Sequence, residues 1–367
     1  MASAVGRCAV PGALPVMLPR TMKTFHCEHC NQVLFFENTV CVGCGRLVGF
    51  APDVFEMRNF GEGTNYRQCL NYSQQQVCNW LLGPQEQGDL CRSCDLTAVI
   101  PDLTLPGNHE QWFRMESAKR RMVYTLLSLR LPLVTRKQEP EFGLEFQFKS
   151  DAGLPPGEAV LTGHDNGVIT LNLAEADDAE RERRRVQLHE PYRTLLGHFR
   201  HEIGHYYWDR LIPGDKWTEP FRALFGDERL DYAEALKAHY AAGDKPTWEQ
   251  GYISAYATAH PWEDWAETWA HYLHMVDGLE TAAALGMKLT PARADEPALK
   301  APASDPTSAS FERLHRDWAA LTYALNNLNR SMGLNDAYPF VVSQAALGKL
   351  EFVHQVIADA QSALPGS

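Results

Sequence analysis

Apolar residues along the chain fall into helical and strand spacings, divided by proline and glycine breaks. Leu195, Leu196, Phe199, Ile203 and Tyr206 or Tyr207 recur at helical spacing. That stretch leads in from Pro191, which suits a first turn, and runs towards a break at Pro213-Gly214. A second helix follows Pro261. Its apolar stripe is Trp262, Trp265, Ala266, Trp269 and Leu273, and its opposite face carries Glu263, Glu267, His271 and His274. The tryptophans bury the first face, so the second must meet solvent or a polar cavity. Trp112, Met115, Met122, Leu126 and Leu129 mark another helix, opened by Asn108 and Gln111 in the manner of a capping box and closed near Pro132. Phe311, Leu314, Trp318, Leu321, Leu325 and Leu328 make a further amphipathic helix, and Leu350 to Ala360 the last. Phe146 and Phe148 alternate as in a strand. Val160-Leu161, the turn Asp165-Asn166-Gly167 and Val168 to Leu173 read as a hairpin.

The first of these helices carries His201-Glu202-Ile203-Gly204-His205. Two histidines four apart lie on one helix face and can share one zinc ion. Glu202 then projects beside the metal, where it can take a proton from a zinc-activated water. Gly204 costs the helix about 1 kcal/mol relative to alanine, and a small residue there lets another backbone approach. A catalytic zinc needs a third protein ligand and an open position for water. Either Glu263 or Glu267 can supply that ligand from the tryptophan-rich helix.

The two helices together resemble the zincin metallopeptidases, in particular the gluzincin branch, whose third ligand is a glutamate on a later helix. Tyr256, Glu263 and Ala266-Glu267 stand in the register of the lethal-factor-type pattern. The resemblance implies Glu263 as ligand, Glu267 as the partner that orients a zinc histidine, and Tyr256 as the phenol that stabilises the oxyanion. Glu267 is the alternative ligand, and Asp264 an alternative partner carboxylate. His271 and His274 read as surface or packing residues.

Nine cysteines are present. Cys27-x2-Cys30 and Cys41-x2-Cys44, ten residues apart, form two knuckles of the zinc-ribbon kind, with Gly43 and Gly45 allowing the tight turn. Cys69, Cys78, Cys91 and Cys94 make a looser set that reads as a second structural zinc site. Cys8 is left over. The ribbon, then Cys78-Asn79-Trp80, Cys91-Arg92-Ser93-Cys94 and Ile100-Pro101-Asp102-Leu103 ahead of the His-Glu stretch, resembles a bacterial group of zinc-ribbon, zinc-binding metallopeptidases from about Met22 to Gly278. That resemblance implies an architecture and a metal site, but no substrate.

The expected fold is α+β: cysteine-rich zinc modules, then a mainly helical zincin domain with a small antiparallel sheet. The expected boundaries are 1–22 disordered, 23–50 zinc ribbon, 51–105 second four-cysteine zinc module, 106–287 zincin domain, 288–310 linker or loop, and 311–367 C-terminal helical segment. The stretch 288–310 is rich in Ala, Pro and Ser. Between His205 and Glu263 lie 57 residues, long enough for a helical hairpin that roofs the cleft. Val168 to Asn172 is the candidate edge strand for pairing with extended substrate, with an ordinary core strand as the competing reading.

Composition narrows the setting. At 45% hydrophobic the chain can bury a large core, and no apolar run is long enough to span a membrane. Residues 1–21 lack the continuous apolar core of a signal peptide. Paired Cys-x2-Cys motifs favour thiolate–zinc sites in a reducing, cytoplasmic setting. A net charge of −12 argues against nucleic acid as a partner. Two functions follow. One is a zinc metallopeptidase acting on peptide or protein, with one catalytic and two structural zinc ions. The other is a zinc-ribbon module that binds a protein partner on a non-catalytic zincin scaffold.

Overall fold

The computed structural model describes residues 24–152, 154–155, 158–187, 193–243, 247–303 and 305–362. The expectations for residues 1–22, Cys8 and Pro191 lie outside them.

The N-terminal part is built from short antiparallel pairs: β1 (Phe25–His26) with β2 (Val33–Leu34), and β3 (Val48–Ala51) with β4 (Glu56–Asn59). A third pair, β5 (Arg67–Gln68) with β6 (Leu81–Leu82), flanks the single turn α1 (Leu70–Ser73). Strands this short are marginal alone; here a shared aromatic core supports them. Phe36 and Phe50 both pack edge-on or tilted against Tyr124, at 5.4 and 5.5 Å between ring centres. Tyr124 belongs to α2 (Asn108–Ser128), so the cysteine modules and the helical part share one core.

Asn108 is the first residue of α2 rather than its cap. Gly107, at φ 86°, occupies the cap, and the Asn108 amide donates back to the Asp102 carbonyl at 2.8 Å. A four-stranded sheet follows, formed by β7 (Thr97–Val99), β8 (Glu145–Lys149), β9 (Gly163–Asp165) and β10 (Val168–Asn172) in the order β7-β8-β10-β9. Its β9–β10 hairpin is antiparallel, whereas β7 and β10 both run parallel to β8. Asn166 and Gly167, at φ 46° and 85°, supply the positive dihedrals that a two-residue hairpin turn requires. The hairpin's first strand is Gly163–Asp165, not Val160-Leu161, and Leu161 is exposed. Val168 to Asn172 is an interior strand because both its edges are hydrogen-bonded, which leaves β7 and β9 as the edges.

The remaining chain is helical: α3 (Asp178–Gln187), α4 (Leu195–Leu211), α5 (Thr218–Phe225), α6 (Tyr232–Ala242), α7 (Pro261–Ala284), α8 (Phe311–Ser331) and α9 (Gln344–Ser362). Helix α4 starts at Leu195 because the Thr194 hydroxyl accepts the Gly197 N–H at 3.0 Å, a side-chain cap that fixes the first turn. The C-terminal helices pack on α7. Trp318 of α8 lies over Gly278, where a Cβ would meet its ring at 2.6 Å, and Lys349 of α9 pairs with buried Asp264 at 2.6 Å. Ahead of α8, Leu289 and Leu299 form an antiparallel bridge and Pro306–Ser308 make a 3-10 turn with Pro306 and Thr307 buried. Of the 57-residue insertion, α5 joins the core: Phe221 and Phe225 pack on Trp265 of α7, and Phe225 on Phe352 of α9. Helix α6 buries none of its residues. Among the described residues no helix is long and apolar enough to cross a membrane.

Candidate metal centre

Two crossing helices build the site. Helix α4 buries Phe199, Ile203, Tyr206 and Tyr207, which turns His201, Glu202 and His205 towards α7. Helix α7 is capped by His260, whose Nδ1 accepts the Trp262 N–H at 3.1 Å, with Pro261 in the first turn. The crossing is close at Gly204, where a Cβ would stand 3.0 Å from the Ala266 Cα. The Trp265 indole donates to the Gly204 carbonyl at 2.8 Å, and the Tyr207 and Trp269 rings stack at 5.0 Å. These contacts fix the register that brings Glu263 over the histidine pair.

His201 Nε2 lies 3.3 Å from His205 Nε2 and 3.0 Å from Glu263 Oε2, and His205 Nε2 lies 3.6 Å from the same oxygen. Tetrahedral ligands bound at about 2.0–2.1 Å stand about 3.3 Å apart, so the three atoms fit around one ion of zinc's bond lengths. Glu263 Oε2 is buried and accepts no hydrogen bond, as suits a lone pair aimed at a cation. Glu267 sits behind His201, its Oε1 2.7 Å from Nδ1. Burial opposes a charge on His201, yet Glu263 and Glu267 beside it raise its pKa well above the usual imidazole value.

Glu202 is buried beside the cluster. Its Oε1 is 3.1 Å from His198 Nε2, and its Oε2 has no hydrogen-bond partner. Burial alone would raise this carboxyl, but the imidazoles of His198, His201 and His205 bring its pKa below the ordinary carboxylate value. His198 is backed in turn by Glu175, 3.6 Å from its Nδ1, and Glu175 by Arg193 at 3.5 Å. Tyr256 stands in a short 3-10 turn with its ring centre 5.9 Å from that of His201. Burial and nearby Glu263 push its phenol far above the usual tyrosine value.

Asp264 faces away from the cluster towards Lys349. His271 and His274 are packing residues. His271 Nδ1 meets the Tyr338 hydroxyl at 2.6 Å, and His274 meets Arg200, which also pairs with Asp277.

Sequence reading passed over His198, Tyr232 and His164. His198 lies four residues before Glu202, a spacing that places both on one helix face. Tyr232 of α6 donates to Glu263 Oε1 at 2.5 Å, and the edge-strand His164 ring stacks 6.2 Å from that of His205. Nothing in the local pattern marks these two, because both reach the site from distant segments.

The eight cysteines described form two further clusters, Cys27–Cys30–Cys41–Cys44 and Cys69–Cys78–Cys91–Cys94. Sulfur pairs stand 3.8 Å apart (Cys27, Cys44), 3.5 Å (Cys30, Cys41) and 3.7 Å (Cys78, Cys91). Four thiolates at about 2.3 Å from a tetrahedral zinc stand about 3.8 Å apart, whereas a disulfide needs about 2.0 Å. Asn31 and Gly45, at φ 59° and 72°, close the two knuckles with N–H bonds to the Cys27 and Cys41 carbonyls, each at 2.8 Å.

Residues 108–356 match the family described as "Putative zinc-binding metallo-peptidase", and residues 24–105 match a zinc-ribbon domain. A protein of Mycobacterium bovis, named only as uncharacterized, is 45% identical over 337 residues, spanning 92% of this chain and 95% of its own. Two Mycobacterium tuberculosis proteins, likewise named only as uncharacterized, match with the same identity and coverage. No solved structure matches the chain.

Proposed function

The chain belongs to this zinc-binding metallo-peptidase family, and from that premise we propose that it hydrolyses peptide bonds in the manner of a gluzincin. The metal ligands in this reading are His201, His205 and Glu263, and Glu202 is the general base. One observation carries it: two buried carboxylate oxygens, Glu263 Oε2 and Glu202 Oε2, lack any hydrogen-bond partner. The first lies against both imidazoles, and the second belongs to the residue next to His201.

When bound, zinc supplies Lewis acidity that polarises the scissile carbonyl and acidifies a water molecule. Glu202, held through Oε1 by His198, keeps Oε2 free to accept the proton of the attacking water and return it to the leaving amine. Glu267 holds the Nδ1 side of His201, which directs Nε2 towards Glu263 and His205. Tyr256 stays protonated in its buried setting and donates to the developing oxyanion. The two cysteine clusters would each hold a structural zinc through four thiolates.

Metal analysis and turnover test the reading together. Zinc per chain should fall from three to two in His205→Ala. Glu202→Gln should keep all three and lose about 10²–10⁴-fold in kcat on a cleaved peptide. Full activity in pure Glu202→Gln would remove the general base from the mechanism. Two ions in both wild type and His205→Ala would favour the binding-module function instead.

A further inference from the structure

Glu263 uses its two oxygens differently. Oε2 lies 3.0 and 3.6 Å from the two histidine Nε2 atoms, and Oε1 accepts the Tyr232 hydroxyl at 2.5 Å. The carboxylate is buried, so no water competes for Oε1. Tyr232 opens α6, within the insertion that separates the two metal-binding helices. Its ring packs 5.2 Å from His260 and 5.9 Å from Trp262, the residues on either side of Pro261. That packing aims the hydroxyl at Glu263 independently of the rest of α6, none of which is buried. A phenol keeps its proton across the neutral range and can only donate to a carboxylate.

We infer that Tyr232 is a positioning residue for the metal centre: it holds Glu263 by Oε1 so that Oε2 alone faces the ion. Without the phenol, Oε1 is left buried and unpaired, and the carboxylate can rotate away from the histidines. The insertion therefore supplies a working part of the centre. Hydrogen-bond partners of ligating groups change metal affinity by about 10–100-fold when removed. The inference rests on the reading of Glu263 as a ligand, and its test separates the two.

Zinc affinity at this centre is measured by chelator competition, with both cysteine sites filled, for wild type, Tyr232→Phe, Glu263→Gln and the double variant. Phenylalanine keeps the ring packing and removes only the hydroxyl. Tyr232→Phe should bind zinc about 10–100-fold more weakly at this centre, with the metal at both cysteine sites retained. In the Glu263→Gln background the same substitution should cost nothing further, because the oxygen it holds no longer belongs to a charged ligand. Wild-type affinity in Tyr232→Phe, or an equal loss in both backgrounds, would overturn the inference and leave the ligand reading standing. Unchanged affinity in Glu263→Gln would overturn the ligand reading and the inference with it.

Discussion

At the scale of single residues, the neighbours of a buried histidine decide whether it serves the centre or the core. His201 and His271 are both buried, yet their ionisation moves in opposite directions. Carboxylates on α7 raise His201, whereas burial pushes His271 down to about 4, with Glu267 opposing only weakly. Below its unfolded value of 6.5, His271 takes up a proton in the unfolded chain but not in the folded one until about pH 4. The unfolded state then binds more protons, so stability falls as the pH drops through that window and is regained as it rises. A displacement from 6.5 to about 4 amounts to about 3 kcal/mol at most. Chemical denaturation between pH 7 and 4.5 should therefore show a shallower loss in His271→Gln than in wild type. Parallel pH dependence in the two proteins would refute it.

At the scale of elements, the α4–α7 crossing is the feature on which the centre depends. Gly204 is a poor helix residue that the sequence tolerates because α7 passes over it, with the Ala266 Cα 3.0 Å from where a Cβ would be. Alanine there should gain about 1 kcal/mol of helix propensity. It should lose about 1–3 kcal/mol to overpacking against a backbone that α8 and α9 hold in place. The expected net result is destabilisation by up to about 2 kcal/mol, read from the denaturant midpoint, with weaker zinc binding as the helices part. The sequence marked both helices and the small residue, since 3.6-residue periodicity and a Pro first turn are local signals. It misjudged the cap of α2 and the outer strand of the hairpin. Each of those is decided by one hydrogen bond or one strand pairing, to which periodicity is blind.

At the scale of the whole molecule, the cysteine modules differ in how far they are built into the body. Cys30 is exposed and Cys44 half-buried, whereas Cys69, Cys78, Cys91 and Cys94 are all buried. The turn at Cys94–Leu96 runs directly into β7 of the four-stranded sheet, so the second cluster anchors an edge of that sheet. A chelator titration followed by metal analysis and circular dichroism should remove the ion of the first cluster with little change in fold. Loss of the second should coincide with cooperative unfolding, because a structural site contributes its binding free energy to folding. Simultaneous release of both would show them to be one unit. The sequence by itself determined the chemistry: which atoms can bind a metal, in which groups, and on which helices. These follow from residue type and, for the histidine pair and the three Cys-x2-Cys pairs, from spacings of three or four residues, which the geometry of a knuckle or a helical turn converts directly into proximity. Only the tertiary structure decided which glutamate faces both imidazoles, that His198 backs Glu202, and that Tyr232 reaches Glu263. Those pairings depend on the angle and register at which separate elements pack, and shape complementarity between distant side chains sets that register without leaving a periodic trace in the chain.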